Sequence, residues 1–293
     1  MNQARSLLLQ LKGQAPRPGI SPDQARRDFS DLYIKYQEPG LPEMEKTEVR
    51  DDLFGYWIRS HGAQNKPVIL FFHGGGFSVG STRDHLGLIA GLSRAGGADV
   101  LSIDYRLAPE HSFPAALFDS TDGYRFLLKE GYSPKRIILA GISAGGTLAL
   151  ELAIYARDAG LSMPAGIIAM SPAVDMLFPG ESVAGNKDND WIPPGRLQRI
   201  RENYLAGSDP RDPLASPIYA ELSGLPPLLV QAGTHEVLFD DISRFAEKAS
   251  LKGVPVTYER YQGMFHCWQS FGELPDAEKA ILSAGDFVKR ITG

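Results

Sequence analysis

The sequence predicts an α/β fold built on a mostly parallel sheet covered on both faces. Three observations carry this reading. Strand-like apolar runs alternate with helical patterns along most of the 293 residues. Several of those runs are apolar throughout, as strands buried on both faces should be, and do not alternate. The chain is also long enough to bury a large core without disulfides or metals.

In chain order the strands are expected at 55–59 (GYWIR), 67–72 (PVILFF), 98–103 (ADVLSI), 136–140 (RIILA), 166–170 (GIIAM), 227–232 (PLLVQA) and 255–260 (PVTYER). The helices between them are expected near 83–95, 114–130, 144–159, 238–252 and 275–290. Two stretches fall outside the alternation. Residues 1–45 carry helical patterns over 2–12 and 21–37, separated by the turn-rich GQAPRPGISP. Residues 175–210 place a polar loop and a helix between two strands. A long insertion at the C-terminal end of a strand is where an active-site cover sits. The expected division is therefore a catalytic domain over 46–174 and 211–293, with a helical cap over 1–45 and 175–210.

Composition narrows the function. Apolar residues make up 43% and charged residues 22% of the chain, the balance of an ordinary globular protein. A formal net charge of −5 gives no basic surface for nucleic acid or anionic lipid. The single cysteine, Cys267, excludes an internal disulfide framework and fits a reducing compartment. No run approaches the ~20 apolar residues that span a bilayer, and the leucine cluster at the N-terminus lacks a signal-peptide pattern. The expectation is a soluble, cytoplasmic protein.

The chemistry starts at Gly141-Ile142-Ser143-Ala144-Gly145, between a strand and a helix. G-x-S-x-G in that setting is the context of a nucleophile elbow: a sharp turn exposes the serine Oγ, and glycines permit the close strand–helix crossing. The pattern is short, so the rest of the chain has to support it. His73-Gly74-Gly75-Gly76-Phe77 follows the strand PVILFF. Glycine N–H groups there can approach a substrate oxygen closely, and the N–H of Ala144 at the next helix start can join them. Two donors are expected from Gly74, Gly75 and Gly76, with the choice open. The stretch lacks the lysine of a phosphate-binding loop.

The base and acid should follow the serine in the order acid, then histidine. Two histidines remain, His235 and His266; His266 lies just after the last strand and is favoured, because His235 occupies the loop where the acid belongs. Glu236 in that loop is favoured as the acid over Asp240, which falls a turn later at a helix N-terminus. Aromatic candidates for a pocket are Phe77, Tyr105, Phe178, Trp191, Phe29 and Tyr33, although each side chain would serve equally in packing. Cys267, beside His266, has no second base and reads as a packed thiol.

Taken together, HGGGF (73–77), DYRLAPEHSFPAA (104–116), GISAGG (141–146), SP (171–172), DPLASP (212–217), PPLLVQAG (226–233) and GMFHCW (263–268) resemble the hormone-sensitive-lipase-like branch of the α/β-hydrolase esterases. The resemblance runs from about residue 67 to 270. It implies an α/β-hydrolase fold with a mostly parallel eight-stranded sheet, flanking helices and a helical cap over the acyl pocket. It also implies carboxylester hydrolysis by Ser143, Glu236 and His266 with no cofactor, and often a homodimer through the last strand. Two positions depart from the family pattern: Ile142 replaces the usual Asp or Thr, and Glu236 replaces the usual Asp. The expected substrates are esters with acyl chains of roughly 2–8 carbons. Lactones and acylated sugars are alternatives, and a catalytically dead small-molecule receptor or a serine peptidase are rival classes.

Overall fold

A computed structural model describes residues 3–13, 19–37, 40–60, 66–193 and 195–293. The middle of the turn-rich N-terminal stretch, 14–18, lies outside the described residues. From the N-terminus the elements are α1 (Gln3–Gly13), α2 (Pro22–Lys35), β1 (Glu45–Arg50), β2 (Leu53–Ile58), β3 (Val68–Phe72), α3 (Leu86–Gly96), β4 (Asp99–Ile103), α4 (Ala115–Lys129) and β5 (Ile137–Ile142). They continue with α5 (Ala144–Asp158), β6 (Gly166–Met170), α6 (Ser182–Gly185), α7 (Arg196–Leu205), β7 (Leu228–Gly233), α8 (Phe239–Leu251), β8 (Val256–Tyr261) and α9 (Pro275–Thr292).

The strands form one eight-stranded sheet in the order β1-β2-β4-β3-β5-β6-β7-β8. β1 and β2 pair antiparallel, β2 joins β4 antiparallel, and every pairing from β4 through β8 is parallel. This is the α/β-hydrolase sheet. The strand missing from the residue-by-residue reading is β1, EKTEVR, whose residues are half-buried or exposed and so carry no apolar run.

Successive side chains of the central strands point to opposite faces, and each face has its own helical cover. Val68, Leu70 and Phe72 of β3 join Leu139 of β5 and Val230 of β7 in a core with Tyr124 of α4, Leu148 of α5 and Phe245 of α8. Ile69 and Phe71 point the other way, into a core with Ile138, Ile168, Leu92 of α3 and Phe287 of α9. β3, β5, β6 and β7 are buried along their whole length as a result.

A third core joins the N-terminal helices to the loops at the C-terminal ends of the strands. Leu7, Leu8 and Leu11 of α1 and Phe29, Leu32 and Tyr33 of α2 pack with Trp191, Phe265, Trp268 and Phe271. Leu7, Leu8 and Leu11 of the N-terminal leucine cluster are therefore the buried stripe of α1, while Leu9 is exposed. α2 begins with a side-chain cap, Ser21 Oγ accepting from the N–H of Gln24, and with Pro22 in its first turn.

Candidate active site

β5 ends at Ile142 and α5 starts at Ala144, leaving Ser143 alone on the turn with φ 54 and ψ −122. A non-glycine residue there is strained. The turn survives because nothing else fits between strand and helix. A Cβ on Gly145 would lie 1.9 Å from the Phe72 carbonyl oxygen, and one on Gly141 would lie 2.1 Å from that of Gly145. Ile142 is fully buried in the sheet core, so an apolar residue suits that position.

Ser143 Oγ lies 2.8 Å from Nε2 of His266, whose Nδ1 lies 2.9 Å from Oε2 of Glu236. Oε1 of Glu236 accepts from the Ser171 hydroxyl at 2.9 Å and the Gly233 N–H at 2.6 Å. Both lone-pair regions of the carboxylate are thus occupied, and Glu236 and His266 are buried. Asp240 bonds the N–H of Ser182 at 2.7 Å instead. Ser171 and Cys267 beside the histidine also carry positive φ, 47 and 61, so three strained residues meet at one place. Cys267 is a buried free thiol whose pKa is pushed up by burial, as a packed cysteine requires.

Burial also pushes the Glu236 carboxyl above its ordinary range, against the bond from His266. At His266 burial disfavours the imidazolium, while the neighbouring Cys267 and then the Glu236 carboxylate favour it; the balance lies upward. An acid that holds the ring by Nδ1 leaves Nε2 free to accept the serine proton.

A small cavity of about 30 Å³ opens at Ser143. Gly75 and Gly76 form one wall, with φ 128 and 60. Gly74 is not among the residues lining it; a Cβ there would lie 3.1 Å from the Ile142 carbonyl oxygen and 3.2 Å from Nε2 of His85. Among the described residues no backbone carbonyl takes the N–H of Gly75, Gly76 or Ala144. The glycine loop is held from behind. The Tyr105 hydroxyl donates to the His73 carbonyl at 2.8 Å, and the Tyr105 ring stacks on His73 at 4.2 Å.

Phe29, Tyr33 and Trp191 line the cavity at Ser143. Phe77 stacks on Tyr204 with ring centroids 3.6 Å apart, and both are buried in the core; Tyr105 lies behind the glycine loop. Phe178 lines a separate groove of about 430 Å³ with Ile192, Leu197 and Val237.

Sequence reasoning did not single out Asp190. It sits in the polar run NKDND and is fully buried. Oδ1 accepts the N–H groups of Trp191 at 2.7 Å and His266 at 3.0 Å, while Oδ2 accepts that of Val237 at 2.8 Å. One carboxylate therefore ties the insertion to the loops carrying His266 and Glu236. Its neighbours reinforce the tie. Trp191 Nε1–H donates to the His266 carbonyl at 2.7 Å, and Asn186 Nδ2 donates to the carbonyls of Thr234 and Glu236. A buried aspartate with backbone partners leaves no mark in the sequence that separates it from a solvated one.

Among the described residues no group of three or more His, Cys, Asp and Glu side chains is placed to hold a metal ion. No helix among them is long and apolar enough to cross a membrane.

Residues 69–270 match the family model described as the alpha/beta hydrolase fold. The chain is 44% identical over 284 residues to an acetyl-hydrolase of Streptomyces hygroscopicus, covering 96% of this chain and 92% of the relative. It is 39% identical to an esterase of Acinetobacter venetianus over 75% of this chain and 74% of that one. Among solved structures, an esterase from the bacterial hormone-sensitive lipase family superposes with a TM-score of 0.94 at 37% identity, covering 100% of this chain and 99% of the other. Fold and relatives together define a carboxylic ester hydrolase. The chain belongs to the α/β-hydrolase family, in its hormone-sensitive-lipase-like branch.

Proposed function

We propose that the protein is a serine carboxylesterase for short acyl esters, with Ser143 as nucleophile, His266 as general base and Glu236 as the orienting acid. The observation that carries the reading is the unbroken chain of contacts from Ser143 Oγ through His266 to Glu236, at 2.8 and 2.9 Å. His266 Nε2 takes the hydroxyl proton as Oγ attacks the ester carbonyl. The oxyanion is received by the N–H groups of Gly75 and Gly76, which line the cavity at Ser143, together with that of Ala144. The proton on His266 passes to the departing alkoxide. Water then attacks the acyl-enzyme with the same base, and the acid and Ser143 are released.

The narrow cavity at Ser143 supports acyl groups at the short end of the 2–8 carbon range. Residues 1–45 and 175–210 serve as the cap of a catalytic domain formed by 46–174 and 211–293, since α2 and Trp191 supply aromatic walls of that cavity. The test compares p-nitrophenyl acetate, butyrate and octanoate for the native enzyme and Ser143→Ala. The substitution is expected to lower kcat by roughly 10⁴ or more, and an organophosphate is expected to add its mass at Ser143. Activity within tenfold of the native enzyme would overturn the nucleophile assignment.

A further inference from the structure

A second cavity, of about 150 Å³, adjoins the one at Ser143, and Gly75, Arg196 and Ile200 are walls of both. Among the described residues its charged lining is entirely positive: Arg196 and Arg199 face it, with Ser78 and Asn203 among the neutral polar walls and no carboxylate. Neither guanidinium has a hydrogen-bond or ion-pair partner among the described residues. An arginine in open solvent needs none, but Arg196 is largely shielded by the protein. Burial and the charge of Arg199 pull its pKa down. The Ser78 hydroxyl is likewise buried without a partner.

Folding gives no reason for this arrangement. A half-buried charge without a partner loses part of its hydration and gains nothing in return. Arg196 and Arg199 stand three residues apart on one helix, where like charges repel. Both sit in the first turn of α7, the end where the helix dipole disfavours cations. Each of these costs becomes a gain once an anion enters. The guanidiniums then acquire a charge-assisted partner, and the helix terminus adds its positive potential.

We propose that this cavity receives a carboxylate carried by the substrate, so that the enzyme prefers esters bearing an anionic group several bonds from the scissile carbonyl. The inference rests on the esterase reading of Ser143 and names the substrate class of that site. Hydrolysis remains balanced as before: water and the ester give a carboxylic acid and an alcohol, one of which retains the second carboxylate.

Two substrate pairs test it and show which side of the ester carries the anion. Monomethyl glutarate against methyl hexanoate places the charge on the acyl side. 4-Acetoxybenzoate against its neutral methyl ester places it on the alcohol side. Proton release in a pH-stat reads the hydrolysis of all four. In at least one pair the anionic ester is expected to have the higher kcat/KM, by on the order of tenfold. Arg196→Gln is expected to bring that ratio to one or below, and added salt to reduce it in the native enzyme. Ratios at or below one in both pairs with the native enzyme overturn the proposal, with no variant needed. So does a ratio that Arg196→Gln leaves unchanged while circular dichroism shows the variant folded. If none of the four esters is hydrolysed and Ser143 takes no organophosphate label, the esterase reading fails, and this inference falls with it.

Discussion

Removing the Asp190 carboxylate isolates what the inserted segment contributes to the chemistry. In Asp190→Ala the N–H groups of Trp191, Val237 and His266 lose the only acceptor they have among the described residues, in a buried setting. An unsatisfied buried donor costs about 1–3 kcal/mol, so three sum to about 3–9 kcal/mol. Water entering the vacated space recovers part of this, and a loss of at least about 3 kcal/mol is expected. Asp190→Asn behaves differently. Its amide oxygen can still accept from Trp191 and His266, while its NH₂ group opposes the Val237 N–H, so one bond is lost at about 1–3 kcal/mol. Urea unfolding measures both, with the order Ala worse than Asn. Activity at a temperature where each variant is folded should fall in the same order, because the His266 backbone is one of the three partners. A loss below about 1 kcal/mol in Asp190→Ala would refute the accounting. Full activity in a variant that is measurably destabilised would show that the tie holds the fold and not the histidine.

Two further outcomes follow from the site. His266 must be neutral to act as a base, and the net pull on its pKa is upward, so kcat/KM should rise with pH through a limb above 6.5. Glu236→Gln removes one of the groups that favour the imidazolium and leaves burial, which opposes it, and Cys267, which does not; the limb should then move to lower pH while kcat falls, and an unmoved limb would contradict the contribution of the Glu236 ion pair. At the elbow, Gly145→Ala places a methyl 1.9 Å from the Phe72 carbonyl oxygen, where backbone has to shift. A loss of more than about 3 kcal/mol in denaturant unfolding, or no folded protein, is expected.

Much of the fold was legible because the central strands are buried on both faces and advertise it as unbroken apolar runs. β1 was not, since a solvated edge strand needs no apolar residue. Within the site, the three side chains that meet were identified by chain order around two glycine motifs, a signal that survives without any knowledge of contacts. Phe77 and Tyr105 show where such reasoning stops. Both follow strand ends near the glycine loop, yet one ring stacks on Tyr204 and the other on His73, and only coordinates reveal which way each turns. Asp190 was hidden for a different reason: its partners are backbone groups as far as 76 residues away, which no local pattern encodes. Arg196 was hidden likewise, because an arginine on a polar helix reads as a solvated side chain.

The bonds from Asn186, Asp190 and Trp191 to the loops of Glu236 and His266 also set a limit on recombination. A graft of residues 175–210 from a relative, made to change substrate range, would carry away the groups that hold the loops of Glu236 and His266 in place. The stretch from Asn186 to Trp191 belongs with the recipient's catalytic loops, and an exchange that begins at Gly195 would replace α7 and its two arginines while leaving those bonds intact.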